Sequence, residues 1–220
     1  MKTFYLLMVM FMMEPVLAET QDWEKFNSSL LIEVTRPKGV FTCTGVAVSP
    51  EVVLTAAHCL EGDIKKVRIF TQAQYDPKQT SLEIGSFKIH PTYNPEKSRY
   101  YSDLAKIVMK DKLPPFVTIY PIEKSTKIMG QLFRFGFGER DHKNLRTVIT
   151  PTLRRVNVEE EVLELNDEFS RSGDSGGPIF MQNGNSISIL AIHSTFSHGP
   201  KGNFSLNPLL SAYAPWIFSN

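Results

Sequence analysis

Short apolar strands separated by turn residues run through almost the whole chain, and no long segment repeats with the 3.6-residue period of a helix. Leu30-Leu31-Ile32-Glu33-Val34 is followed by the turn Arg36-Pro37-Lys38-Gly39, and the runs 40–48 and 52–55 are divided by Ser49-Pro50-Glu51. Val67-Arg68-Ile69-Phe70 and the stretch 82–89 alternate apolar and polar residues, the pattern of half-buried strands, and further strands are expected at 104–109, 132–137, 153–158, 161–165, 178–181 and 187–193. The triplet Glu159-Glu160-Glu161 reads as a solvated turn. Only residues 208–218 have the character of a helix, a short terminal one. Strands of this length cannot bury a core alone, so they must close on one another. The expected fold is all-β, of sandwich or barrel type.

A chain of 220 residues with 42% apolar and 11% aromatic residues can bury a substantial core. The charged, proline-rich connector Lys110-Asp111-Lys112-Leu113-Pro114-Pro115 divides it into two halves of comparable strand content. With 24 basic against 23 acidic residues, nothing in the total charge points to nucleic acid, an anionic membrane surface or a strongly acidic substrate.

The first residues differ from the rest. Lys2 precedes an apolar run over 3–13, Glu14 and Pro15 close it, and Val16-Leu17-Ala18 presents small residues at a cleavage site. This is the pattern of a secretory signal peptide spanning 1–18, and the run is short for a membrane span. Export makes the protein secreted, extracellular or periplasmic, with no stable membrane association once the signal is removed. It also places Cys43 and Cys59 in an oxidising compartment. Two cysteines without a CxxC motif or clustered histidines make a poor metal site, and none is expected. A disulfide between them would contribute roughly 3 kcal/mol in the chain-entropy model and tether the neighbour of His58.

Three segments carry chemistry. Thr55-Ala56-Ala57-His58-Cys59 ends an apolar strand, Ser102-Asp103-Leu104-Ala105 opens another, and Gly173-Asp174-Ser175-Gly176-Gly177-Pro178 surrounds one serine with almost no side-chain bulk. Acyl transfer by serine needs a base for the hydroxyl proton, a carboxylate to orient that base, and backbone N–H groups aimed at the oxyanion. Glycines flanking a serine free the backbone to expose such groups.

With TAAHC and GDSGGP in the order His, Asp, Ser, the chain resembles the chymotrypsin/trypsin-like serine proteases from about Leu30 to Pro215-Trp216-Ile217. His90-Pro91-Thr92-Tyr93-Asn94-Pro95 before Asp103 is similar to that family's approach to its aspartate. The resemblance implies two six-stranded antiparallel Greek-key barrels with a short C-terminal helix, a chymotrypsin-like double barrel. The peptidase domain would span 19–220, with barrel 1 at about 28–110, barrel 2 at about 116–208 and the helix at about 208–218. It implies Ser175 as nucleophile, His58 as base and then acid, and Asp103 as the orienting carboxylate. The N–H groups of Gly173 and Ser175 would form the oxyanion hole. The Cys43–Cys59 bridge matches the family's disulfide beside the histidine. The implied activity is endopeptidase cleavage of proteins or peptides through an acyl-enzyme, by a monomer needing no cofactor. The alternative is a latent or inactive homologue that serves as a binding module.

The chain departs from that family at activation. Its zymogens are cut to free an apolar terminus whose amine pairs with the aspartate before the nucleophile, here Asp174, and no matching tetrapeptide is present. A buried Asp174 then requires an internal Lys or Arg, or an amine from other processing. Substrate choice is carried by Phe169, Ser170, Ser172, His193, Ser194, Thr195 and Phe196. Phe169 stands six before the nucleophile, where trypsin has an aspartate. His193 resembles the histidine with which glutamate-specific bacterial members hold an acidic side chain, and Ser170 and Ser172 could add donors. Equally, His193 could be a satisfied strand residue beside an apolar pocket narrowed by Phe169 and Phe196. The preference at P1, the residue before the scissile bond, is therefore expected to be either acidic or apolar.

Overall fold

The computed structural model describes residues 26–96, 100–140, 143–198, 200 and 202–219. The expected signal segment lies outside the described residues.

The first half forms strands β1 (Ser29–Arg36), β2 (Gly39–Ser49), β3 (Val52–Thr55), β4 (Lys66–Phe70), β5 (Ile84–Ile89) and β6 (Ala105–Met109). They make one antiparallel sheet in the order β4-β1-β2-β3-β6-β5. A bridge between Ile69 of β4 and Leu82, just ahead of β5, joins the two edges and closes the sheet into a barrel. The period-2 pattern decides what faces inward. Leu30, Ile32 and Val34 of β1 meet Ala105, Ile107 and Met109 of β6 in its core, whereas Leu31 points the other way.

The second half has β7 (Gln131–Gly136), the small hairpin β8 (Glu139–Arg140) and β9 (Lys143–Asn144), β10 (Thr147–Ile149), β11 (Thr152–Asn157), β12 (Val162–Asn166), β13 (Pro178–Asn183), β14 (Ser186–Ile192), β15 (Thr195–Ser197) and β16 (Phe204–Pro208), followed by helix α1 (Leu210–Ile217). Its pairings fall into two four-stranded sheets, β10-β7-β13-β14 and β11-β12-β16-β15. β10 and β11 are one strand interrupted at Thr150-Pro151, where proline lacks the N–H a ladder needs. β14 and β15 are likewise one strand bent at His193-Ser194. Counting each bent strand once gives a closed ring of six. The chain is thus a chymotrypsin-like double β-barrel with a short C-terminal helix.

Between the barrels lies a third apolar layer. Val46, Val48, Leu54 and Leu104 come to it from the first barrel, Phe133, Phe135, Phe180, Ile189 and Ile192 from the second, and Leu210, Tyr213 and Ile217 from α1. Phe26 sits at its centre with ring centroids 4.7 Å from Phe135 and 5.1 Å from Phe180. Such packing holds the two barrels in one fixed relation, on which any site built from both depends. Lys106 of β6 reinforces it: its buried Nζ donates to the carbonyls of Trp216 at 3.0 Å and Ser219 at 2.6 Å, tying α1 to the first barrel.

Candidate active site

The segments singled out in the sequence converge on the seam. His58 lies in a single 3-10 turn, Ala57–Cys59, directly after β3. The disulfide between Cys43 of β2 and Cys59 pins the end of that turn. Asp103 precedes β6 and is completely buried, and Ser102 beside it adopts φ 53°, a tight turn that aims the carboxylate at His58.

One carboxylate oxygen of Asp103 accepts the backbone N–H of His58 at 2.9 Å; the other accepts the ring Nδ1–H at 2.7 Å and the Ser194 hydroxyl. A carboxylate can only accept, so the proton of a neutral imidazole sits on Nδ1 and Nε2 carries the lone pair. Burial alone would push the His58 imidazole down. The hydrogen bond and charge of Asp103, with Glu61 behind them, outweigh it and hold the ring above its ordinary value, against a smaller opposing push from Arg36. The guanidinium of Arg36 donates to the carbonyls of His58 at 3.1 Å and Cys59 at 3.0 Å, fixing the same turn from the other side.

Ser175 is half-buried in the loop ahead of β13. Its carbonyl accepts the N–H of Thr44 at 2.8 Å and lies 3.8 Å from the Cys59 sulfur, which sets the serine beside the histidine turn. Among the described residues no hydrogen bond joins the Ser175 hydroxyl to the His58 ring, a contact that is commonly loose without substrate. The loop turns through Gly173 at φ 100° and Gly176 at φ 82°, where side chains are disfavoured. At Gly176 a Cβ would come within 2.2 Å of the Thr44 carbonyl. The amides of Asp174, Gly176 and Gly177 donate to the carbonyls of Arg171, His193 and Asp174. Those of Gly173 and Ser175 have no acceptor among the described residues.

Asp174 is met from inside the protein. Arg134, at the centre of β7 and wholly buried, lies with Nη1 3.1 Å from Asp174 Oδ2. The angle of that contact is outside hydrogen-bond alignment, so it acts through charge. Arg134 also forks onto Asp167, Nε to Oδ2 at 2.7 Å and Nη2 to Oδ1 at 3.0 Å. Asp174 accepts two backbone N–H groups besides, from Gly138 at 2.8 Å and Arg171 at 2.9 Å. The internal arginine that the sequence left as one alternative is therefore present. Nothing in β7 marked it except a charge amid the apolar run Leu132-Phe133-Arg134-Phe135-Gly136-Phe137.

His193 is buried and satisfied on both ring nitrogens. Asn207 donates its amide to the Leu163 carbonyl at 2.9 Å and to Ser205 Oγ at 3.0 Å, so its Oδ1 accepts from His193 Nδ1 at 3.1 Å. His193 Nε2 is then the acceptor for the Ser170 hydroxyl at 2.7 Å. Burial, then the charge of Arg134, push the imidazole down to about 4, against the opposing charges of Asp167 and Asp174. Ser170 is buried with it, whereas Ser172 is exposed. Phe169 is 57% exposed and lies beside the β10–β11 bend, lining a cleft with Val148, Ile149 and Pro151. Ser194, Thr195 and Phe196 line a separate cleft of about 510 Å³ with His58, Arg36 and Tyr93. Sequence reasoning missed Thr44, Arg134, Asp167 and Asn207, all of which have polar side chains that face inward.

Two closed barrels meeting at such a seam define the double-barrel class of serine peptidases. The trypsin family model matches residues 21–217, and the chain belongs to that family. It is similar to phenoloxidase-activating factor 3 of Holotrichia diomphalia, 24% identical over 92% of this chain and 71% of that protein. Granzyme M of Homo sapiens is 27% identical over 81% of this chain and 78% of its own length. Hypodermin-B of Hypoderma lineatum is 36% identical over 39% of this chain, a stretch covering 33% of that protein.

Proposed function

We propose that this serine peptidase is a secreted endopeptidase, active without proteolytic activation, that cleaves after uncharged residues. The observation that carries the reading is the coupled set His58–Asp103–Ser194 beside a Ser175 loop with two unengaged amides. In this reading His58 Nε2 takes the Ser175 hydroxyl proton as Oγ attacks the scissile carbonyl. Asp103 orients the ring and stabilises its cationic form, and the N–H groups of Gly173 and Ser175 receive the oxyanion. The protonated ring then gives its proton to the departing amine, and water repeats the sequence to release the acyl group. Export rests on the character of residues 1–18 and agrees with the Cys43–Cys59 bridge.

Activation without cleavage is supported by Arg134, whose charge meets Asp174 where the family uses a freed amine. This favours an enzyme over the latent or inactive binding module. The uncharged preference is supported by the state of His193. A neutral ring whose Nε2 accepts from Ser170 leaves that hydroxyl only lone pairs to offer, so it lacks a donor for a P1 carboxylate.

One assay tests the whole: hydrolysis of internally quenched peptides with Phe, Ala, Glu or Arg at P1, by the wild type and by Ser175→Ala. The expected result is cleavage after Phe or Ala that disappears in the variant while the fold persists. Activity near the wild-type rate in Ser175→Ala overturns the assignment, and preferred cleavage after Glu overturns the uncharged pocket.

A further inference from the structure

Resting on the proposed roles of Gly173 and Ser175, we infer that Thr44, in the first barrel, is a positioning residue that holds the oxyanion loop of the second in its working shape through its side-chain hydroxyl. Every polar atom of Thr44 is engaged. Its Oγ1 donates to the Gly173 carbonyl at 2.8 Å and accepts the N–H of Phe137 at 2.9 Å. Its backbone N–H donates to the Ser175 carbonyl, and its own carbonyl accepts the Thr55 hydroxyl at 2.7 Å. The residue is completely buried, so none of these bonds exchanges readily with water.

A trans peptide is planar, so fixing its carbonyl fixes the direction of its N–H. The Gly173 amide belongs to the peptide whose carbonyl, that of Ser172, accepts Glu139 N–H at 3.0 Å. The Ser175 amide belongs to the one whose carbonyl, that of Asp174, accepts Gly177 N–H at 3.0 Å. Of the two peptides that follow these, the one from Gly173 is held by the Thr44 hydroxyl and the one from Ser175 by the Thr44 N–H. Four consecutive carbonyls, 172 to 175, are therefore held, two of them by one residue of β2. Gly173 is the weak point, because its φ of 100° and missing side chain let its peptides rotate most freely. The hydroxyl acts at that residue. Because Oγ1 also caps Phe137, next to the Gly138 amide that Asp174 accepts, the same atom links the loop to the Arg134–Asp174 pair.

The test compares Thr44→Ser, Thr44→Cys and Thr44→Val, a series from strong donor to weak donor to none, using the peptide cleaved best by the wild type. Rates are normalised by burst titration of Ser175, and the Ki of a matching peptidyl aldehyde, which forms a tetrahedral adduct, is measured alongside. Thr44→Val is expected to lose roughly 10–100-fold in kcat at unchanged KM, with aldehyde affinity falling in step. Thr44→Cys should lie between, and Thr44→Ser should recover most of the rate. Should Thr44→Val not fold, the order of Ser over Cys carries the comparison. Wild-type kcat in Thr44→Val or Thr44→Cys overturns the inference, as does a loss confined to stability or KM with aldehyde binding intact. A wild type that neither hydrolyses peptide nor binds the aldehyde overturns the peptidase reading and this inference together.

Discussion

At the scale of single residues, half-buried His58 and buried His193 are set in opposite directions by their neighbours. His58 is drawn up by a carboxylate in direct contact; His193 is driven down to about 4 by burial and by Arg134. The second has a consequence for stability. An unfolded histidine titrates near 6.5, so between about 6.5 and about 4 the unfolded chain binds a proton that the folded one refuses. Stability contributed by neutral His193 is complete above about 6.5 and is lost as pH falls through that window, by up to ~1.4 kcal/mol per pH unit. Denaturant unfolding at pH 7, 6 and 5 should show this slope shrinking in His193→Gln, which can reproduce both hydrogen bonds without the proton. An unchanged slope would mean that His193 is accessible to protons in the folded state.

At the scale of elements, β7 shows how a strand that packs by ordinary alternation also positions a loop. Phe133 and Phe135 face the layer between the barrels, Leu132 faces the second barrel's own core, and Arg134 points with Leu132 to meet Asp167 and Asp174. Replacing Arg134 by Met leaves two carboxylates buried without their cation, which should destabilise the fold by about 3–5 kcal/mol in denaturant unfolding. A change near zero would show that the backbone amides alone suffice for both. Most strands were legible as short apolar runs or alternations bounded by turn residues: 30–34, 67–70 and 178–181 lie within β1, β4 and β13. β16 was missed because its inward positions, Ser205 and Asn207, are polar and buried, so it reads as loop. β10 and β15 were missed because each is the short arm of a strand broken at Thr150-Pro151 or His193-Ser194. Each of these arms has three residues, too few to carry a period.

At the scale of the molecule, the seam brings together what the sequence keeps apart. His58 and Asp103 come from the first barrel, Ser175 and Ser194 from the second, and the Phe26-centred layer fixes the distance between them. The motifs around His58, Asp103 and Ser175 were legible because each chemistry-bearing residue stands in a specific local context. Their supports were not, because Thr44 reaches Gly173 across 129 positions, Arg134 reaches Asp174 from β7 into the loop ahead of β13, and Asp167 meets Arg134 across 33, so none has a local signature. On the proposed reading these supports assemble the loop by the fold alone, with Arg134 supplying the charge for Asp174 in place of a chain terminus. That claim is tested most directly by labelling Ser175 with a fluorophosphonate in protein whose α-amine has been acetylated, with mass spectrometry locating the adduct and reading the amino terminus. Ser175 is expected to label at the rate of the unblocked protein. Labelling that appears only when a new amino terminus has been freed would contradict it.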